Sequence, residues 1–116
     1  MKLRLHGDAL RLRLSQSEVA RLGQEGRVEE QIRFAPGRAL HYSLESTDTD
    51  RVTADFTGDS IRVLLPRAAA LHWIASDDTG IQGSGETLKI LIEKDFQCIH
   101  PGSEDADSFP NPLASR

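Results

Sequence analysis

The C-terminal part of the chain gathers the residue types that bind metal ions. Cys98, His100, Glu104, Asp105 and Asp107 fall within ten residues. The Cys98 and His100 spacing places both side chains on one face of a strand, so both could reach a single ion. A thiolate and an imidazole suit zinc or iron(II) better than calcium or magnesium. The pattern therefore predicts a zinc or iron site, and with it a metal-binding protein or a metal-dependent enzyme.

The same residues also fit a structural interpretation. Cys98 can be a small core residue, and the three acids can be a solvated tail. A C-x-H spacing is a weaker metal signature than paired C-x-x-C. The sequence contains no P-loop pattern, and it predicts no cofactor besides zinc or iron. Whether the protein is an enzyme is therefore left open, and a binding or interaction module is the favoured function.

A second candidate site is a set of like charges on a predicted hairpin. A two-residue turn at Gly7-Asp8 places Arg4 opposite Arg11, and it places Lys2 opposite Arg13. Like charges that face each other across a hairpin are destabilising, so an acidic group is expected beside them. The candidates for that group are Glu29 or Glu45 on a neighbouring strand, the acids of residues 104–107, and a phosphate or carboxylate ligand.

Two further predictions concern single contacts. Glu30 and Lys94 occupy strand positions at which the alternation places apolar, inward-facing residues. They are therefore expected to meet as a partly buried ion pair. Phe109 lies beside two prolines in the extended segment F-P-N-P. We expect Phe109 to dock into an apolar groove of its own domain or of a neighbour's.

The elements that position these residues form two similar units. Each unit begins with a hairpin of alternating apolar and polar residues, around Gly7-Asp8 in the first and Gly58-Asp59 in the second. A helix follows each hairpin. The first starts at a capping box in residues 15–18 and ends at Gly23 or Gly26, and the second starts at Pro66. A strand is then predicted over residues 28–34 and over 92–98, with residues 76–87 inserted as a surface loop.

A further strand over residues 39–46 is expected to pair with residues 28–34 across a turn at Pro36-Gly37. Two ββαβ units predict a single α+β domain over residues 1–100, with two short helices. The predicted core is a small β-barrel or a sandwich, and Trp73 lies in it. Residues 101–116 are expected to form an extended, acidic, proline-containing tail that packs on the domain.

Composition limits the partners. The net charge is −4 and no long basic run occurs, which argues against nucleic acid. No apolar run is long enough to span a bilayer, so no membrane association is expected. The single cysteine and the absence of a signal-peptide pattern indicate a cytoplasmic protein. Open strand edges favour a homodimer or a protein partner.

Three stretches carry a resemblance to a known family. They are RLRLSQSEV at residues 11–19, ILIEKDFQCIHP at 90–101 and SEDADSFPNP at 103–112. In these stretches the chain resembles an uncharacterised bacterial family, a domain of unknown function. The duplicated units and their Gly-Asp turns are also similar to the cradle-loop barrels. The first resemblance implies no activity, and the second implies a barrel fold.

Overall fold

Leucines that alternate with charged residues form the first hairpin, as predicted. β1 (Lys2–His6) and β2 (Ala9–Leu14) pair antiparallel in the computed structural model, which describes residues 1–85 and 87–95. The turn is tight because Gly7 adopts a φ of 55°, which other residues rarely adopt. β5 (Thr53–Thr57) and β6 (Ser60–Pro66) repeat this arrangement around Gly58.

The two predicted helices follow the two hairpins. α1 (Gln16–Glu25) begins at the Ser15–Glu18 capping box and ends at Gly26, which has a φ of 74°. α2 (Arg67–Ala75) follows Pro66 directly. Trp73 is buried, as predicted, whereas Leu71 is exposed.

A second hairpin follows each helix. β3 (Arg27–Ala35) pairs with β4 (Arg38–Thr47), as predicted, and β7 (Gly80–Ser84) pairs with β8 (Lys89–Lys94). The prediction of a loop over residues 76–87 is therefore wrong in part. Gly83 of β7 lies against Val52, and a β-carbon on Gly83 would lie 2.5 Å from the Val52 β-carbon.

Each half of the chain is thus a ββαββ unit, and the two units exchange hairpins. Sheet A has the order β1-β2-β8-β7, and sheet B has the order β3-β4-β6-β5. The central pairs, β2 with β8 and β4 with β6, are parallel and join the two halves. Consequently β8 of the second unit is equivalent to β4 of the first unit. The predicted repeat had instead made it equivalent to β3. The described strands form two open sheets, so the closed barrel, one of the two predicted cores, is not shown.

One cluster of buried side chains joins both sheets and both helices. Its largest fully buried members are Trp73, Leu12, Leu14, Leu22, Leu44, Leu65, Ile92, Val28 and Val63. The fold is therefore α+β with a sheet-rich core. None of the described helices is long and apolar enough to cross a membrane.

Candidate functional site

The outer face of sheet A is strongly basic. Residues of β2 and β8 alternate, so that Leu10, Leu12, Ile90 and Ile92 are buried and the residues between them face outward. In the described part of the chain this face carries the cations Lys2, Arg4, Arg11, Arg13 and Lys89. Glu93 is the one carboxylate that β1, β2, β7 and β8 place among them.

The register of the first hairpin is the predicted one. Arg4 lies opposite Arg11, and Lys2 lies opposite Arg13. The neighbouring strand β8 supplies the expected acidic group, because the Glu93 carboxylate contacts both Arg11 and Arg13, at 3.3 and 3.2 Å. Lys2 pairs with Asp95, just beyond β8, at 2.9 Å.

Two of the carboxylates predicted for this role do not fill it, and those of residues 104–107 lie outside the described residues. Glu29 and Glu45 lie on sheet B, where they pair with Arg27 and Arg62. The prediction failed because it placed β3 and β4 beside the first hairpin. The parallel neighbour of β2 is instead β8, from the far end of the sequence.

Two cations of this face have no carboxylate partner among residues 1–85 and 87–95. They are Arg4 and Lys89, which lie toward the turn of the hairpin, away from Glu93. Arg4, His6, Ala9 and Arg11 line a depression of about 210 Å³. A larger groove of about 670 Å³ shares Ala9 and Arg11 with it and extends past Lys89 to β7. Guanidinium and ammonium groups beside an open depression can bind a phosphate or a carboxylate.

The equivalent face of sheet B is neutral by comparison. Arg62 and Glu45 occupy the positions of Arg11 and Glu93, and their side chains lie 3.0 Å apart. The hydrogen bond from Arg62 lowers the pKa of Glu45, although partial burial of the carboxyl opposes this shift. Asp55 takes the position of Arg4 and lies opposite Arg62. The excess of positive charge is therefore a property of sheet A alone.

The predicted ion pair between Glu30 and Lys94 does not form, because each of the two side chains contacts other groups. Glu30 instead contacts the amino group of Met1 at 3.1 Å, and that group also contacts Glu18. Burial of the Glu18 carboxyl opposes ionisation. Hydrogen bonds from the Met1 amino group and from Ser15 outweigh burial and lower its pKa.

Lys94 has a structural role. Its ammonium group donates a hydrogen bond to the Ser76 carbonyl at 2.7 Å and lies 5.6 Å from the centre of the Trp73 ring. These contacts tie the end of β8 to the end of α2. They engage the Lys94 ammonium group in contacts within the fold.

The predicted metal ligands Cys98, His100, Glu104, Asp105 and Asp107 lie outside the described residues, as does Phe109. Within the described part of the chain, no group of three or more potential metal ligands comes together. The zinc or iron site stays a prediction.

Sequence reasoning missed three residues of the basic face, His6, Lys89 and Glu93. His6 lies two residues after Arg4 on β1, so the alternation of side chains along the strand could have placed it on the same face. Lys89 and Glu93 reach the face only through the parallel pairing of β8 with β2. That pairing leaves no local signal, because the two strands lie far apart in the sequence.

A family model matches nearly the whole chain. It covers residues 1–113, and its description is a family of unknown function (DUF7009). The chain has no significant match among curated proteins or among solved structures.

Proposed function

The chain belongs to that family of unknown function, and from its own residues we propose that it is a small binding module for an anion. The ligand binds on the outer face of sheet A, through a phosphate or carboxylate group. The observation that carries this proposal is the pair of cations, Arg4 and Lys89, that find no carboxylate in the described part of the chain. They flank Arg11 at an open depression.

The chemistry of the face supports an anionic ligand. Guanidinium groups donate two parallel hydrogen bonds to carboxylate or phosphate, and an ammonium group adds a point charge. Arg4 and Arg11 repel each other in the free protein, and a bound anion relieves that repulsion. Binding is thus favoured by attraction to the ligand and by a weaker repulsion between Arg4 and Arg11.

Open strand edges support the predicted homodimer or protein partner. Among the described strands, β1 and β7 are the edges of sheet A, and β3 and β5 are those of sheet B. Their unpaired backbone groups can extend a sheet into another chain. Such a contact leaves the outer face of sheet A free for its ligand.

Titration with inorganic phosphate and with citrate, followed by calorimetry, tests the anion site. Arg4→Gln and Lys89→Gln are each expected to weaken binding by about two- to fivefold, as for partly exposed ion pairs. Binding by the unchanged protein should also weaken as ionic strength rises. Arg27→Gln is the matched control, because Arg27 is an exposed arginine of sheet B paired with Glu29.

The control variant should bind both anions as the wild type does. Equal losses from Arg27→Gln and Arg4→Gln would show only a general effect of net charge. Binding that is insensitive to Arg4→Gln and Lys89→Gln would contradict the proposed site.

A further inference from the structure

An apolar surface lies uncovered by the described residues at one end of sheet B. Ile32, Phe34 and Phe56 are exposed by 44%, 72% and 72%. Phe34 and Phe56 stand on opposite edge strands, yet they line one cavity of about 410 Å³ together with Leu40. Phe34 is the extra residue of a β-bulge between Arg33 and Ala35, and bulges re-aim side chains. Exposed aromatic residues around one cavity indicate a binding surface.

The rim of this surface carries two arginines and one aspartate. Arg38 and Asp59 line the same cavity, and both line an adjoining one of about 590 Å³ together with Arg33. In residues 1–85 and 87–95 neither guanidinium forms an ion pair with Asp59 or with another carboxylate within 4 Å. The arginines outnumber the aspartate, so the surface favours a ligand that combines an apolar group with negative charge.

The chain's own C-terminal sequence has this combination. Glu104, Asp105 and Asp107 come just before Phe109, and Pro110 and Pro112 favour an extended backbone. We propose that residues 104–112 bind this surface in the same chain, with Phe109 in the cavity and the acids beside Arg33 and Arg38. The surface is then an intramolecular docking site, distinct from the anion site on sheet A.

The connection is long enough. Asp95 pairs with Lys2, and the neighbouring residue Met1 contacts Glu30 on the inner face of β3. Phe34 lies four residues beyond Glu30, which is about 13 Å along a strand. The fourteen residues from Asp95 to Phe109 can span up to about 46 Å. The segment can therefore reach the cavity without crossing to another molecule.

The equivalent end of sheet A offers no such cavity wall. Leu5 takes the position of Phe56 there, with an exposure of 59%, and β7 ends at Ser84, before it reaches the position of Phe34. The two ends of the molecule thus provide a docking surface and a matched control surface.

A double-mutant cycle on the full chain tests the contact. Phe109→Ala and Phe56→Ala are each expected to lower the melting temperature by about 4 °C or more, measured by circular dichroism. The double variant should melt no lower than the less stable single variant, because both changes remove the same contact. Leu5→Ala is the control, and its effect should add fully to that of Phe109→Ala.

Two results would overturn the proposal. One is a melting temperature for Phe109→Ala within about 1 °C of the wild type. The other is that the losses from Phe109→Ala and Phe56→Ala add, as those with Leu5→Ala do. Neither result bears on phosphate binding to sheet A, so the two proposals fail independently.

Disulfide trapping separates docking within one chain from docking between two. In a Cys98→Ser background, Ala35→Cys with Asn111→Cys should oxidise to a cross-linked monomer, because Ala35 lines both cavities. Leu5→Cys with Asn111→Cys is the control, since Leu5 lies at the equivalent end of sheet A. A disulfide-linked dimer as the main product would overturn the intramolecular site in favour of a second copy.

Discussion

Arg4 and Arg11 face each other across a turn of two residues, a placement that costs stability unless a negative charge lies close by. Glu93 supplies that charge to Arg11 and Arg13 but does not contact Arg4. The single carboxylate therefore has two opposing effects. It stabilises the sheet, and it competes with any external anion for the same guanidinium groups.

Glu93→Gln separates these effects. The variant should lose about 1 kcal/mol of unfolding free energy at low salt, because two partly exposed arginines lose their counter-charge. It should also bind phosphate more tightly than the wild type does. Urea unfolding and calorimetric titration measure the two quantities, with Glu29→Gln on sheet B as the control. Weaker phosphate binding by Glu93→Gln would show that the anion site lies elsewhere.

Glu45 makes stability depend on pH. Its pKa is lowered in the folded protein by the hydrogen bond from Arg62, so its stabilising effect is present above the ordinary value of 4.5. That effect is lost as the pH falls through the lowered pKa. Glu45→Gln should therefore melt below the wild type at pH 7 and approach it in acid. A difference that stays constant between pH 7 and pH 3 would exclude ionisation as the cause.

At the scale of elements, β7 depends on a close approach of two backbones. A β-carbon on Gly83 would lie 2.5 Å from the Val52 β-carbon and 3.1 Å from the Val52 carbonyl oxygen. Gly83→Ala should therefore destabilise the protein by about 1–3 kcal/mol, as overpacking does. Among the described residues, the added carbon in Gly85→Ala meets only the Leu88 carbonyl oxygen, at 4.0 Å, so this control should be nearly neutral. Denaturant unfolding measures the loss of stability in each variant, and equal losses would contradict the close approach at Gly83 as the cause.

Elements with strong local signals were predictable from the sequence. Alternating leucines, the Gly-Asp turns and the Ser15–Glu18 capping box indicated the first hairpin of each unit and the start of α1. β7 was not predictable, because Ile81 is its one large apolar residue and glycines occupy two of its five positions. Its strand conformation comes from pairing with β8 and from contact with Val52.

At the scale of the whole molecule, the pairing of hairpins was the unpredictable step. The repeat correctly indicated two units, but alternation within a strand does not specify which strand lies beside it. Both parallel pairs join distant parts of the chain, β2 with β8 and β4 with β6. For the same reason the four basic residues of the first hairpin were found, whereas Glu93 and Lys89 were not.

The exchange of hairpins makes each half of the chain the partner of the other, as if two identical subunits had been joined end to end. A symmetric pair of separate half-length subunits would present every surface twice, and any gain of charge on one sheet would be copied on the other. The continuous chain has no such restriction. Its two sheets share a fold but differ in charge, so one molecule carries one basic face, and an anion should bind with a stoichiometry of one per chain.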